Sequence, residues 1–127
     1  ELSFHVEAEG DHWRTISAIR EAGLKAGIAL SPATGVESIA ELIPILDFVL
    51  VMTVSPGFGG QTFIPEMLDK IKRLRAAAGD LPIAVDGGVT PELLRPLAEA
   101  GVDIAVAGSA IFQEEEIDWQ RWRLNCE

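Results

Sequence analysis

The stretch Pro82-Ile83-Ala84-Val85-Asp86-Gly87-Gly88-Val89-Thr90-Pro91 passes from one kind of secondary structure to another within ten residues. Pro82 to Val85 is apolar and strand-sized, Asp86 closes the strand, and Gly87 and Gly88 turn the chain. Thr90-Pro91 then reads as an N-cap with proline at the first helical position, followed by Leu93, Leu94 and Leu97 facing inward. When strands alternate with helices the strands lie parallel, and in parallel sheets chemistry gathers beyond their carboxyl ends. Asp86 stands at such an end.

The alternation continues in both directions. Upstream, Leu2 to Ala8 reads as a strand, and His12 to Ala22 as a helix with Trp13, Ile16 and Ile19 in one stripe. Gly23 stops that helix. Lys25 to Leu30 is a second strand, ended by Ser31-Pro32 and followed by a helix from about Val36 to Ile43. Asp47 to Val54 is the most hydrophobic run, as expected of a parallel strand covered on both faces. A glycine-rich turn from Pro56 to Gln61 leads into a long helix. Its apolar stripe is Ile64, Met67, Leu68, Ile71 and Leu74, opposite a polar face of Asp69, Lys70, Lys72 and Arg73. Downstream, Ile104 to Ala107 makes a fifth strand, and Glu114 to Leu124 reads as a closing helix with Trp119 and Trp122 one turn apart. The class is α/β, a single domain over residues 1–127 with about five parallel strands, too few to close an eight-stranded barrel.

Composition narrows the function. With 127 residues and 48% hydrophobic content the chain can bury one core, and no apolar run approaches the roughly 20 residues that cross a bilayer. Twenty acidic against ten basic residues give a formal charge of −10, which repels nucleic acid and anionic membranes. An anionic ligand must then be held locally, by oriented N–H groups. The single cysteine, Cys126, cannot form an internal disulfide, so a reducing, cytoplasmic setting is expected. Glu1 already falls inside a strand pattern, as if the chain began mid-fold.

Single residues leave alternatives open. Asp86 before Gly-Gly either shapes a turn through local backbone bonds or serves as an acid/base group. Gly57, Gly59 and Gly60 are either loop glycines or part of a ligand-covering turn. Gly87, Gly88, Gly108 and Ser109 fit a phosphate cradle, because bare backbone after the last two strands lets amides point at an anion. Met52 is either a core filler or a sulfur at the inner end of the sheet. His5 and Glu7 share one strand face that can look into a barrel interior, or His5 is a hydrogen-bonded structural histidine. His12 begins a helix without a ligand partner and reads as surface. Trp13, Trp119 and Trp122 read as packing residues, and Glu114 to Glu116 as a solvated first helical turn.

Five ordered segments together resemble the C-terminal portion of ribulose-phosphate 3-epimerases over almost the whole chain. They are Phe4-His5-Val6-Glu7-Ala8, Ala26-Gly27-Ile28-Ala29-Leu30 with Ser31-Pro32-Ala33-Thr34, Val51-Met52-Thr53-Val54-Ser55-Pro56-Gly57-Phe58-Gly59-Gly60-Gln61, Val85-Asp86-Gly87-Gly88-Val89, and Ala107-Gly108-Ser109-Ala110-Ile111-Phe112. Ser55 stands where the family more often has asparagine. The resemblance implies a partial (βα)8 TIM barrel of the ribulose-phosphate-binding type, comprising the fourth to eighth strands and lacking the first three βα units. It implies interconversion of ribulose 5-phosphate and xylulose 5-phosphate by proton transfer at C3, with Asp86 as one of two acid/base aspartates and as a metal ligand. It also implies that Gly57, Phe58, Gly59, Gly60, Gly87, Gly88, Gly108 and Ser109 contact substrate or its phosphate, and that Met52 lies beneath the metal and substrate. The family's divalent ion, Zn, Fe, Mn or Co, takes two histidines and both aspartates, and of these only Asp86 is present.

Two-face proton transfer needs two groups on opposite sides of the substrate, so the chain alone is expected to be inactive and not to retain the metal. The alternatives are a site completed by a second polypeptide or another copy, a non-catalytic phosphosugar- or phosphate-binding module, and a related hexulose-6-phosphate 3-epimerase. Open sheet edges predict a homodimer or larger assembly.

Overall fold

The computed structural model describes residues 1–54 and 62–106. Five strands, β1 (Leu2–His5), β2 (Ala26–Leu30), β3 (Phe48–Met52), β4 (Ile83–Asp86) and β5 (Ile104–Val106), form one sheet in the order β1-β2-β3-β4-β5. Every neighbouring pair is parallel. Helices α1 (His12–Glu21), α2 (Met67–Ala78) and α3 (Leu94–Ala100) occupy connections between them. The sheet is open, and its consecutive parallel order is that of part of a (βα)8 barrel.

The two faces of the sheet differ because successive side chains point to opposite sides. Ile28, Leu30, Val49, Val51, Ile83 and Val85 are fully buried and share a core with Ile16 and Ile19 of α1, Met67, Ile71 and Leu74 of α2, and Leu97 of α3. On the other face Ser3, Phe48, Leu50, Ala84, Ile104 and Val106 line an open concavity of about 360 Å³, the inner side of the barrel arc. Gly27, in register with Ser3 and Phe48 on this face, is covered by the Phe48 ring: a Cβ there would sit 2.2 Å from two ring carbons.

Several elements depart from the sequence expectation. The helix expected from Val36 to Ile43 is two 3-10 turns, Val36–Ile39 and Ile43–Ile45. Pro44 has no N–H, so an α-helix cannot run on through it, and it sits instead in the first turn of the second segment. β1 stops at His5 rather than Ala8, where the Ala8 amide turns back onto the His5 carbonyl at 3.0 Å. Thr90 is extended as a cap should be, yet its side chain makes no capping bond, and Pro91–Leu93 is a 3-10 turn leading into α3. Trp13 is 49% exposed rather than packed. His12, expected as plain surface, is half-buried, with Nε2 2.8 Å from the Val6 carbonyl and its ring 5.3 Å from that of Phe4.

The largest departure is Lys70. It was expected on the polar face of α2 but is 5% exposed, and its Nζ donates to the carbonyls of Ser31 at 2.8 Å and Pro32 at 3.3 Å. Two carbonyl acceptors for the three N–H donors of the ammonium offset part of the cost of its burial. The expected closing helix with Trp119 and Trp122, the acidic run Glu114 to Glu116, and Cys126 lie outside the described residues.

Candidate functional site

Asp86 is the last residue of β4, and its register partners are Met52, the last residue of β3, and Val106, the last of β5. Leu50 and Ala84, one step back on the same face, line the inner concavity. Met52 and Asp86 therefore stand side by side on the inner face at the carboxyl ends of the strands, both half-buried. Among the described residues no side chain donates a hydrogen bond to the Asp86 carboxylate or pairs with it, which leaves it able to meet a ligand.

The turn after Asp86 is fixed from β3. Gly87 and Gly88 have φ of 129° and 69°, conformations open to glycine. The Thr53 amide donates to the Asp86 carbonyl at 2.9 Å, and the Thr53 hydroxyl donates to the Gly87 carbonyl at 2.5 Å. A Cβ on Gly87 would meet Val54 Cγ2 at 2.6 Å and the Val54 amide nitrogen at 2.9 Å. Gly87 thus lets the β4 turn press against the end of β3, and Asp86 is held from behind by a buried threonine.

A second network occupies the same rim. Glu7 accepts from the Ser31 amide at 3.0 Å and from the Thr34 hydroxyl, and the Ser31 and Thr34 hydroxyls lie 3.0 Å apart. Burial pushes the Glu7 carboxyl up, but the hydrogen bonds from Ser31 and Thr34 outweigh it and bring the pKa down to about 2. His5 Nδ1 lies 3.8 Å from Glu7 Oε2. His5 and Glu7 are therefore neighbours, but Glu7 belongs to a turn and serves the loop after β2 instead of a shared strand face. Burial also lowers the pKa of Lys70, opposed by the negative charge of Glu7.

Among the described residues no group of three or more His, Cys, Asp or Glu side chains could hold a metal ion. One carboxylate beside a thioether does not fit a divalent cation, which takes four or more donor atoms. Of the site residues expected from sequence, Met52, Asp86, Gly87 and Gly88 are brought together. Gly57, Phe58, Gly59, Gly60, Gly108 and Ser109 lie outside the described residues.

The sequence reading missed Thr53 and Lys70 as holders of the rim. Both had a signal: Thr53 interrupts an apolar run, and Lys70 falls three residues after Met67 and four before Leu74, on the apolar stripe itself.

A parallel, consecutively ordered strand array with a carboxylate and paired glycines at its carboxyl rim defines part of a (βα)8 barrel. Solved structures agree on the fold. A 3-hexulose-6-phosphate synthase superposes with a TM-score of 0.64 at 21% identity, covering 89% of this chain and 54% of that one. A mutant tryptophan synthase α-subunit from Pyrococcus furiosus gives 0.66 at 21% identity over 87% of this chain and 46% of that one. Sequence comparison is more specific, since the model of the ribulose-phosphate 3 epimerase family matches residues 1–112. The chain belongs to that family.

It is 48% identical over 114 residues to a ribulose-phosphate 3-epimerase of Rhodobacter capsulatus, covering 88% of this chain and 50% of the relative. It is 43% identical over 119 residues to the cytoplasmic isoform from Oryza sativa subsp. japonica, covering 91% of this chain and 52% of the relative. The chain spans about half the length of the curated relatives it matches.

Proposed function

We propose that this chain carries one catalytic half of a ribulose-phosphate 3-epimerase site, with Asp86 as an acid/base group for C3 of the pentulose 5-phosphate. The observation that supports this reading is the Asp86 carboxylate at the end of β4, unpaired among the described residues, beside Met52 and backed by Thr53. Asp86 takes or returns a proton on one face of the substrate. The opposite face needs a second group, and the described residues offer none beside Asp86. Gly87 and Gly88 leave bare backbone next to the carboxylate, and with Gly57 to Gly60, Gly108 and Ser109 they are the proposed contacts for the sugar phosphate. The chain by itself neither turns over nor holds a divalent ion tightly.

An assembly that supplies the other half follows from the same reading. Leu2 and Leu24 are 49% and 45% exposed and line an apolar groove of about 510 Å³ between β1 and α1, while Ile104 and Val106 on β5 are 50% and 44% exposed. Leaving such surfaces in water is costly, so we propose a homodimer or larger assembly through these edges. No described helix is long and apolar enough to cross a membrane. A cytoplasmic setting suits a phosphorylated substrate.

The test combines the pure chain with the part of the Rhodobacter capsulatus relative that it does not cover, and assays ribulose 5-phosphate conversion with and without added divalent metal. Conversion in the mixture that is lost with Asp86→Asn is the expected result. Turnover by the chain alone, or turnover in the mixture indifferent to Asp86→Asn, overturns the reading. Binding of ribulose 5-phosphate without conversion in any mixture would favour a non-catalytic phosphosugar module.

A further inference from the structure

Polar ties beyond the backbone ladder alternate between the two rims of the sheet. At the amino-terminal rim, Asp47 accepts from the Ala26 amide at 2.8 Å with Arg20 Nε 3.9 Å away, joining β2 to β3. Asp103 accepts from the Ile83 amide at 2.9 Å and from Arg75 at 2.6 Å, joining β4 to β5 in the same manner. At the carboxyl rim Glu7 joins β1 to β2 through Ser31 and Thr34, and Thr53 joins β3 to β4 through Gly87.

The carboxyl rim is therefore built as two tied pairs, one carrying the Ser31–Thr34 loop and the other carrying Asp86. At this rim Lys70 reaches from α2 to the Ser31 and Pro32 carbonyls, while the other side-chain tie between β2 and β3, that of Asp47, lies at the opposite rim.

We propose that Lys70 is a positioning residue: a buried latch that holds the loop after β2 against the β3–β4 half of the rim, so that the two tied pairs act as one wall. It acts through the loop and does not touch the reacting atoms. The latch is well placed for this because Ser31 is gripped from two directions. Glu7 takes its amide and Lys70 its carbonyl, which also accepts from the Thr34 amide at 3.1 Å. Removing either grip leaves the other holding a loop still anchored to β2. Losing the Lys70 grip leaves Glu7 alone to hold the Ser31 turn, so the loop opens more often while the β2–β3 ladder up to Leu30 and Val51 stays closed.

The inference goes beyond the epimerase reading, and its test uses no substrate. Amide hydrogen exchange is compared in the chain, in Lys70→Met, which keeps the stem length and removes the donors, and in Lys70→Arg, which restores donors. In Lys70→Met the Ser31 and Thr34 amides should exchange at least tenfold faster, with Val51 and Val85 unchanged and protection at the loop recovered in Lys70→Arg. Uniform loss of protection across all strands, or no change at the loop, overturns the proposal. Should Lys70→Met fail to fold, the Nζ protons of the unaltered chain decide. Exchange of the Lys70 ammonium as fast as that of the exposed Lys72 overturns the latch, and slow, resolved Nζ resonances support it.

Discussion

Thr53 bonds the backbone of Gly87 at a distance that leaves little room for a side chain there. The Thr53 hydroxyl donates to the Gly87 carbonyl at 2.5 Å, and its oxygen would stand 3.2 Å from any Cβ placed on Gly87. Asp86 takes its position from that contact, since Thr53 also donates its amide to the Asp86 carbonyl. The carboxylate at the mouth of the site is thus set by a fully buried residue of the neighbouring strand.

Gly87→Ala should destabilise the chain by about 1–3 kcal/mol, the cost of a strained φ together with displacement of the Val54 backbone. Chemical denaturation would show this as a lower midpoint. Thr53→Val, which keeps the shape and removes the hydroxyl, should cost about 1 kcal/mol. A double mutant as stable as Gly87→Ala alone would confirm that the two residues act through one contact.

Gly27→Ala places a methyl group in the Phe48 ring. We expect a loss of about 1–3 kcal/mol from overpacking. The ring faces the open concavity and can be shortened, so Phe48→Leu should recover part of that loss in the double mutant. Additive losses in thermal unfolding would show that the crowding at Gly27 is not with Phe48.

Arg75 donates to the carbonyls of Gly79, Leu81 and Gly101 as well as to Asp103. Arg75→Met leaves these acceptors without that donor and should cost about 1–3 kcal/mol, more than the exposed Arg73→Met. The matching loss for Asp103→Ala should not add fully to it, because the two side chains share one network. Because this rim lies away from Asp86, these variants should leave any ligand binding at the carboxyl rim unchanged, as titration would show.

Glu7 carries the pH dependence that can be signed. Its folded-state pKa, about 2, lies below the ordinary 4.5, so it contributes stability above the ordinary value and loses that contribution as pH falls toward the folded one. Glu7→Gln should be less stable than the parent at pH 7, with the gap closing between about pH 5 and pH 2. The gap is modest because the Glu7 side chain is 37% exposed and screened by water. A gap independent of pH in urea unfolding would show that the Ser31 and Thr34 bonds do not favour the ionised form.

Much of the site was legible because it depends on local signals. Asp86-Gly87-Gly88 announces a strand end and a turn, and the strand-to-helix alternation places it at a carboxyl rim. Lys70 shows the limit of local signals: its charge points to solvent while its spacing from Met67 and Leu74 places it on the buried stripe, and the carbonyls that accept its charge come from a loop 38 and 39 residues away. For Glu7 the alternation of Phe4, Val6 and Ala8 with His5 and Glu7 suggests a strand face, but the strand ends at His5. Nothing within the first strand shows that Ser31 and Thr34 are waiting across the rim.

The sequence by itself determined the parallel α/β alternation and the placement of Asp86 at a strand end, because hydrophobic period and turn residues act over a few residues of chain, while the family was carried by five ordered motif segments. Only the tertiary structure decided which groups hold the strand ends in place. Thr53 behind Gly87, Lys70 beneath the Ser31 loop, and the Arg75 and Asp103 clasp at the far rim all join segments distant in sequence. Buried donors and acceptors find their partners only once the sheet has set its register.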